Sequence, residues 1–213
     1  MFYEPDKDDH GLPFNPYKSI VVPRPIGWVS TISRDGIVNL APFSQFNNLA
    51  YDPPYVMFSA NSFPESGRRK DSVKNATDTG EFVINMATYA LREAVNITSQ
   101  FVPPEVDEAA LAGLEMIGSR LVKPPRVAAS PCALECKWVQ TVSLTDYEGR
   151  STDRHVVFGQ VIGIYIDERF IKNGLLDTGA MRPIQRAGYH DYYTVMPETR
   201  FSMRRPPGGG GGS

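Results

Sequence analysis

The sequence of 213 residues contains two cysteines and three histidines, which leaves little material for a metal site or a disulfide framework. Cys132 and Cys136 are separated by three residues, not by the two of a redox dithiol. No histidine lies close in sequence to complete a metal site with them. We therefore expect no metal site, and we expect both cysteines to pack as small buried hydrophobes.

Long hydrophobic runs and an excess of charge are also missing. No apolar stretch approaches the ~18 residues that are needed to span a bilayer. The first ten residues are acidic and lack the apolar region of a signal peptide. The formal net charge is -2, so neither nucleic acid nor an anionic membrane surface is an expected partner. These features lead us to expect a cytoplasmic protein.

The length suits one domain with a substantial core. We divide the chain into an N-terminal arm over residues 1–18, a main domain over 19–200 and a flexible tail over 201–213. The arm is polar and is interrupted by three prolines. The tail ends in a run of glycines that is typical of a flexible linker.

What the chain does have is a series of short β-type runs separated by turn residues. Asp35 and Gly36 predict a hairpin, because glycine tolerates a positive φ. Residues 44–52 are rich in Asn and Gln and are predicted to form a loop. Many short strands with few helices predict a mainly β fold, a closed antiparallel barrel. The predicted strands are residues 27–33, 38–42, 55–60, 81–86, 133–142 and 155–166.

Two of the predicted strands carry further signals. In the strand at 133–142, apolar side chains alternate with Glu135 and Lys137, which predicts one buried face and one solvated face. The longest predicted strand contains Gly159 and Gly163. Glycines inside a strand indicate bulges or the close approach of another chain segment.

Three consecutive cations, Arg68, Arg69 and Lys70, stand immediately before a predicted helix. Asp71 or Ser72 is expected to cap this helix, which ends at the next glycine. The exposed amide groups and the positive end of the helix dipole attract anions. The segment therefore predicts an anion site, and a solvated basic turn is the alternative interpretation.

The region from residue 24 to residue 75 resembles the flavin reductase-like family, and the resemblance extends over about residues 15–195. It implies the FMN-binding split barrel of that family, a Greek-key barrel with a few peripheral helices. The matching residues, which agree in order and spacing, are Arg24-Pro25-Ile26, Val29-Ser30-Thr31, Asn39-Leu40-Ala41-Pro42-Phe43-Ser44, Phe46-Asn47, Asp52-Pro53-Pro54, Ser59, Lys70-Asp71-Ser72 and Asn75.

The resemblance also implies positions that hold FMN. The residues expected at the phosphate are Lys70, Ser72 and Ser59, with Arg68 or Arg69 assisting and Asp71 in the same motif. The residues expected along the ribityl chain and the ring edge are Ser44, Gln45, Phe46 and Asn47, with Ser30 and Thr31 on the adjacent strand. Taken singly, each Ser, Thr or Asn has a local turn or cap hydrogen bond as its alternative role.

Two larger side chains carry open alternatives. Trp28 is either a core aromatic or part of the ring pocket. His155 follows Asp153 and Arg154 in a segment that resembles the family's Asp-His strand start, where the histidine lies near flavin and nicotinamide. The resemblance implies a catalytic role for His155. The alternative is a strand-end residue that is hydrogen-bonded to backbone or to Asp153.

Residues 182–189 resemble a family loop that can reach the flavin in a homodimer, with a solvated surface loop as the alternative. The expected function is that of an NAD(P)H-dependent FMN oxidoreductase, which takes hydride from NADH or NADPH. Reduced flavin or electrons then pass to a monooxygenase or another redox protein. A flavoredoxin-like electron-transfer flavoprotein and a flavin-binding module without turnover are the alternatives. A homodimer is expected, because isologous pairing is the commonest assembly.

Overall fold

The computed structural model describes residues 1–62, 67–204 and 206. The fold is mainly β, as predicted. Its strands are β1 (Arg24–Pro25), β2 (Gly27–Ile32), β3 (Val38–Phe43), β4 (Phe46–Tyr51), β5 (Pro54–Asn61), β6 (Glu81–Met86), β7 (Met116–Ile117), β8 (Arg126–Val127), β9 (Cys132–Thr145), β10 (Ser151–Ile166), β11 (Ile171–Lys172), β12 (Leu175–Leu176), β13 (Ile184–Arg186) and β14 (Tyr192–Thr194). Its α-helices are α1 (Asp71–Thr79), α2 (Arg92–Ile97), α3 (Glu108–Leu111) and α4 (Thr178–Met181).

Strands β2 and β3 form the predicted hairpin, with Val29 opposite Ala41. Gly36 has a φ of 86°, and its N–H donates to the carbonyl of Ser33 at 3.1 Å. A side chain at this position would be strained in the left-handed region. The turn predicted from Asp35 and Gly36 is therefore confirmed.

Seven strands form one antiparallel sheet in the order β3-β2-β6-β9-β10-β5-β4. One face of this sheet buries the main core, which includes Val29, Phe43, Phe58, Phe82 and Val157. The ring of Phe58 lies 5.0 Å from that of Phe43 and 5.6 Å from that of Phe82, between ring centroids. The order leaves β3 and β4 as the two edges of the sheet, so closure into a Greek-key barrel stays a prediction.

The prediction of a loop over residues 44–52 is wrong for most of that range. Strand β4 occupies Phe46–Tyr51 and pairs with β5, with Phe46 opposite Phe58. The side chains of Asn47 and Asn48 are exposed. An edge strand takes its stability from backbone hydrogen bonds on one side, and polar side chains there discourage pairing with other chains. The polar composition therefore reflects an edge position.

Helix α1 begins at Asp71, and its N-cap is Lys70, without a side-chain cap hydrogen bond. The prediction that Asp71 or Ser72 caps the helix is therefore wrong. The carbonyl of Lys70 accepts the N–H of Val73 at 3.0 Å, which starts the helix one residue earlier. Gly80 ends the helix as predicted, with a φ of 76°.

The prediction that Glu135 lies on a solvated face of β9 is wrong, because this residue is only 5% exposed. Its carboxylate accepts the backbone N–H of Arg120 at 2.9 Å and of Leu121 at 2.6 Å. A buried carboxylate needs such partners, and the segment that covers this part of the strand supplies them. Lys137 is exposed as predicted and pairs with Glu81.

The two cysteines differ in their surroundings. Cys136 is fully buried, as expected, whereas Cys132 is partly exposed. Burial raises the pKa of both thiols above the ordinary value. A raised thiol pKa lowers the fraction of reactive thiolate, which agrees with a packing role.

The close approach predicted for the glycines of β10 is confirmed at Gly159. A Cβ atom there would lie 2.2 Å from Cζ of Phe82. The ladder between β10 and β9 also shifts register between Phe158 and Gly159, and again between Val161 and Gly163. Gly159 therefore lets the core ring of Phe82 pack against the backbone of β10.

Gly159→Ala is expected to lower the free energy of unfolding by roughly 1–3 kcal/mol, because the added methyl group overlaps the buried ring. Denaturant unfolding measures the change. Gly118→Ala is the control, since a Cβ there meets nothing within 4 Å and the φ is not positive. It should change stability by less than about 0.5 kcal/mol. Equal stability of the two variants would contradict the packing described for Phe82.

No helix in the described ranges is long and apolar enough to cross a membrane. The N-terminal arm contacts the main body where the rings of Phe14 and Tyr189 lie 5.8 Å apart, between centroids. The division into arm, main domain and tail stays a prediction. Most of the predicted flexible tail, 201–213, lies outside the described residues.

Candidate functional site

The two edges of the large sheet are connected directly. Strand β3 ends at Phe43 and β4 begins at Phe46, so only Ser44 and Gln45 join them. Edge strands present backbone N–H and C=O groups that no neighbouring strand uses. The split between these edges is therefore rich in backbone hydrogen-bonding groups, and the residues expected at the ring edge lie in it.

A small cavity of about 70 Å³ lies between β3, the start of α1 and the segment that follows α2. Lys70, Asp71 and Ser72 line it on the side of α1. The ammonium group of Lys70 lies 3.5 Å from the ring centroid of Phe101. A guanidinium N–H of Arg68 donates to the carboxylate of Asp71 at 2.5 Å. Of the three cations predicted at the helix start, Lys70 thus lines the cavity, and Arg68 is connected to it through Asp71.

The electrostatics of this cavity favour an anion. Burial lowers the pKa of Lys70, Asp71 raises it in part, and Arg68 lowers it further. An anion that arrives beside Lys70 would offset these effects and restore the charged form. Helix geometry also leaves the N–H groups of Asp71 and Ser72 without intrahelical partners. The helix dipole adds to their attraction for negative charge.

The hydroxyl of Ser72 is not turned towards an anion. It donates to Oδ1 of Asn39 at 2.7 Å, and Nδ2 of Asn39 donates to Oε1 of Glu108 at 2.6 Å. The other carboxylate oxygen of Glu108 accepts the N–H of Leu40 at 3.1 Å. Ser72 therefore offers its backbone N–H to a ligand, and its side chain anchors α1 to the edge of β3.

Asn39 and Glu108 form a buried pair beside the cavity that the sequence did not predict. Glu108 is 5% exposed and belongs to α3, whose N-cap is Asp107. Burial raises the pKa of Glu108, and Asp71 raises it further, against the lowering by the hydrogen bonds from Leu40 and Asn39. No local signal connects α3 with β3, since the contact joins residues far apart in sequence.

A larger cavity of about 420 Å³ lies beside the split. It shares Pro42 and Ser99 with the small cavity, so the two are neighbours along β3. Ser44 and Gln45 line it, as does Arg24, whose Nε lies 3.5 Å from Oγ of Ser44. The two cavities together offer an anionic end at α1 and a roomier end at the Ser44–Gln45 connection.

The remaining residues expected near FMN divide between two faces of the sheet. The N–H of Ser59 donates to the carbonyl of Gln45 at 2.8 Å, which brings β5 against the split. Ser59 is partly exposed and Asn47 is exposed. Phe46 packs against the main core, and a Cβ on Gly27 would lie 2.7 Å from its ring. Phe46 therefore anchors the start of β4 from the inside.

Trp28, Ser30 and Thr31 are each 0% exposed. The indole N–H of Trp28 donates to Oγ1 of Thr98 at 2.9 Å. The hydroxyl of Ser30 donates to the carbonyl of Pro125 at 2.5 Å. These side chains belong to the interior behind the site. Of the alternatives given above, the core role fits Trp28, and no direct cofactor contact is proposed for the three.

His155 is 7% exposed and lies on the inward face of β10, opposite Ala60. Its Nε2 lies 3.1 Å from the hydroxyl of Ser62, and its Nδ1 lies 3.1 Å from that of Ser143. Both ring nitrogens are therefore used within the protein. The geometry gives no support to the catalytic role that the resemblance implies, and it favours the structural alternative, with serine partners in place of Asp153.

His155→Ala is expected to lower the free energy of unfolding by roughly 1–3 kcal/mol, because the buried hydroxyl of Ser62 and the exposed hydroxyl of Ser143 each lose a neutral hydrogen bond. The rate at which bound flavin is reduced should stay unchanged. A melting curve read beside stopped-flow flavin reduction separates stability from catalysis. A slow reduction rate in a variant of normal stability would show instead that His155 has a catalytic role.

The same residue predicts a pH dependence. Burial lowers the pKa of His155 below 6.5, Arg69 lowers it further, and Asp153 raises it in part. The unfolded chain therefore binds a proton at a higher pH than the folded one, so stability is lost as the pH falls below about 6.5. Unfolding measured across this range should show the loss in the wild type and a weaker loss in His155→Ala. An identical slope would contradict the assignment.

Comparison with known proteins identifies the family of this chain. Residues 19–185 match the family described as the flavin reductase like domain. An uncharacterized protein of Aquifex aeolicus (strain VF5) is 40% identical over 185 residues, which cover 86% of this chain and 90% of that protein. The chain therefore belongs to the flavin reductase-like family.

Solved structures show the same fold. Nitrilotriacetate monooxygenase component B from Bacillus cereus superposes with a TM-score of 0.86 at 27% identity, and the match covers 95% of this chain and 98% of that one. A split barrel domain protein from Shewanella frigidimarina NCIMB 400 gives a TM-score of 0.73 at 22% identity, covering 90% and 89% of the two chains. The resemblance to split-barrel flavin reductases that the sequence indicates is thus confirmed.

Proposed function

We propose that the protein is an FMN-dependent oxidoreductase that uses NADH or NADPH. One observation carries this proposal: a cationic helix start and a roomier cavity lie side by side along β3, at the split of the sheet. A flavin mononucleotide needs both, since it has a phosphate at one end and a flat ring system at the other. Family membership supports the flavin, and the geometry supports the mononucleotide.

The residues at α1 fit the phosphate. Lys70 supplies a positive charge, and the backbone N–H groups of Asp71 and Ser72 supply directed donors at a helix N-terminus. Arg68 holds Asp71 by an ion pair, which limits repulsion between that carboxylate and a phosphate. The edge of β3 leads from this end towards the larger cavity, which Gln45 lines, and the carbonyl of Gln45 accepts the N–H of Ser59.

The residues at the split fit the polar edge of the ring. The backbone N–H and C=O groups of Ser44, Gln45 and Asn47 can form hydrogen bonds with the ring edge. Because these groups do not change protonation, they suit a ring edge whose donors and acceptors stand at fixed positions. Phe46 keeps the connection in place by its packing against the core. FMN, when bound, supplies the acceptor for hydride from the nicotinamide. The protein's part is to bind, orient and set the local charge.

Transfer of reduced flavin or of electrons to a partner completes the proposed role. The B component of a nitrilotriacetate monooxygenase shares this fold over almost the whole chain, which favours a monooxygenase or another redox protein as the acceptor. A flavoredoxin-like electron carrier is the second candidate, and a flavin-binding module without turnover is the third. All three need the same FMN site.

Titration of the protein with FMN, followed by addition of NADH or NADPH, tests the proposal. An oxidoreductase binds FMN and consumes the reduced nucleotide continuously when free FMN and oxygen are present. An electron carrier holds one FMN per chain tightly and does not consume the nucleotide. A binding module holds FMN that the nucleotide never reduces. Absence of FMN binding would contradict the proposal in all its forms.

A homodimer is part of the proposal. The outer side of β9 exposes apolar side chains at Val142 and Leu144, which are 39% and 41% exposed. Burial of such a face against a second copy would remove apolar surface from water. Light scattering at micromolar concentration is expected to give twice the mass of the chain. A monomer mass would exclude this assembly.

A further inference from the structure

Three cations surround the larger cavity without a matching acid. Lys18, Arg24 and Arg186 all line it, and none of its lining residues is Asp or Glu. Arg24 and Arg186 stand directly opposite each other where β1 pairs with β13. Like charges in that position destabilise a ladder. Within the described ranges, no carboxylate lies within 4.0 Å of any of the three.

The two arginines are held in place by backbone oxygens. Nη1 of Arg24 donates to the carbonyl of Val21 at 2.6 Å and to that of Lys18 at 3.3 Å. Nη2 of Arg186 donates to the carbonyl of Tyr189. An arginine has five N–H donors in a fixed fork, so these contacts fix both side chains and leave donors for an anion. Two preorganised guanidinium groups suit a phosphate better than flexible lysines would.

The third cation is positioned by a tight turn. Gly188 and Tyr189 both have a positive φ, of 97° and 40°. A Cβ on Gly188 would lie 2.2 Å from Oγ of Ser19 and 2.7 Å from the carbonyl of Lys18. The turn thus presses against the segment that carries Lys18. A left-handed backbone at a non-glycine residue is concentrated at ligand sites, and Tyr189 itself lines the cavity.

An aromatic cleft of about 270 Å³ adjoins the cations. It shares Val95, Asn96 and Tyr192 with the larger cavity and also contains Tyr89 and Tyr193. The guanidinium of Arg186 lies 4.6 Å from the ring centroid of Tyr192, at the boundary between the two. A ligand that spans this boundary therefore meets positive charge on one side and tyrosine rings on the other.

We propose that this cation cluster and the tyrosine cleft bind the adenosine diphosphate half of the pyridine dinucleotide. The pyrophosphate lies at Lys18, Arg24 and Arg186, and the adenine stacks in the cleft of Tyr89, Tyr192 and Tyr193. The inference rests on the proposed function, because it takes NADH or NADPH as the hydride donor. It adds the place where the donor's non-reacting half is recognised, on the cationic side of the cavity whose Ser44–Gln45 side is assigned to the flavin ring.

A small aromatic acid is the competing occupant, since one carboxylate and one ring could also use an arginine and a tyrosine. Three cations exceed what a single carboxylate needs, whereas a pyrophosphate carries two negative charges. The cleft of about 270 Å³ meets the cation-lined cavity at Val95, Asn96 and Tyr192, and Ser44 and Gln45 of the split do not line it. A ligand with a ring at each end of a central dianion matches that order.

Isothermal calorimetry with ADP on the FMN-loaded protein tests the site directly. Lys18→Gln and Arg186→Gln are each expected to weaken ADP binding about tenfold, the loss of one charge-assisted contact. Lys18 is exposed, and no side-chain hydrogen bond or ion pair of it is seen within the described ranges, so its substitution leaves the fold intact. Arg150→Gln is the control, because Arg150 is exposed in the turn between β9 and β10 and pairs with Asp146.

A kinetic arm compares two hydride donors. Reduced nicotinamide riboside carries neither the phosphates nor the adenosine, so its KM should be the same in the wild type and in both variants, while the KM for NADH rises about tenfold. Equal changes for both donors, or no ADP binding by the wild type, would overturn the inference. Displacement of ADP by benzoate would assign the site to an aromatic acid. If NADH is not consumed at all, the proposed function fails, and calorimetry with ADP still decides about the site.

Discussion

Lys70→Ala is expected to weaken FMN binding about tenfold to a hundredfold, or roughly 1.5–3 kcal/mol, and to leave riboflavin binding almost unchanged. The lost contact is a charge-assisted hydrogen bond to a phosphate that riboflavin lacks. Lys70 lines the small cavity at the start of α1, and burial there lowers its pKa. Because the ammonium group is already partly removed from water, its attraction for a bound phosphate is stronger than that of a fully exposed lysine. Fluorescence titration with the two flavins measures the difference.

Lys74→Ala is the matched control for this prediction. Lys74 lies one turn further along the same helix, is exposed, and pairs with Asp78 at 2.6 Å. The substitution removes one positive charge from the same helix, but Lys74 does not line the cavity. A decrease in FMN affinity as large as that of Lys70→Ala would show that only the net charge matters. An equal loss of both flavins in Lys70→Ala would place Lys70 away from the phosphate.

Glu108→Ala is expected to lower the free energy of unfolding by roughly 3 kcal/mol, because hydrogen bonds to a charged group are worth about 1.5–3 kcal/mol each. The carboxylate accepts from the side chain of Asn39 and the N–H of Leu40, and both donors are left buried without a partner. Asn39 also holds the hydroxyl of Ser72. FMN affinity should therefore fall as well, because the start of α1 loses its anchor to β3.

Denaturant unfolding and FMN titration of the same samples measure both effects of Glu108→Ala. Glu108→Gln keeps the shape and one acceptor oxygen, so it should lose less of both. Glu93→Ala is the control, since the Glu93 side chain is 78% exposed and pairs only with Arg92 at 3.4 Å among the described residues. Normal stability of Glu108→Ala would contradict the hydrogen-bond network described for β3 and α3.

Local signals in the sequence predicted much of the fold. The hairpin at Asp35 and Gly36 and the end of α1 at Gly80 follow from the conformational freedom of glycine, and the close packing at Gly159 follows from its missing Cβ atom. Strand β4 was not predictable in this way. Its Asn-rich composition is that of a loop, and its strand character comes from pairing with β5, which is a tertiary contact.

The candidate site was predictable only where its residues are also neighbours in the sequence. Lys70 and its neighbours stand together in sequence and at one cavity in space. Ser30 and Thr31 match the family pattern, but the folded sheet turns them into the interior. The contact of Glu108 with Asn39 and the pairing of Arg24 with Arg186 join distant segments. Only the register of the sheet and the packing of α3 reveal them.

Single-turnover reduction of the FMN-loaded protein tests the central claim most directly. The protein is mixed without oxygen with an excess of NADH, and in a second experiment with NADPH, while the visible absorbance of the flavin is followed. The account predicts that one of the two nucleotides reduces the bound flavin, and that the visible absorbance of the bound flavin then decreases faster than that of free FMN with the same nucleotide. Bound FMN that stays oxidised with both nucleotides would contradict the proposed oxidoreductase.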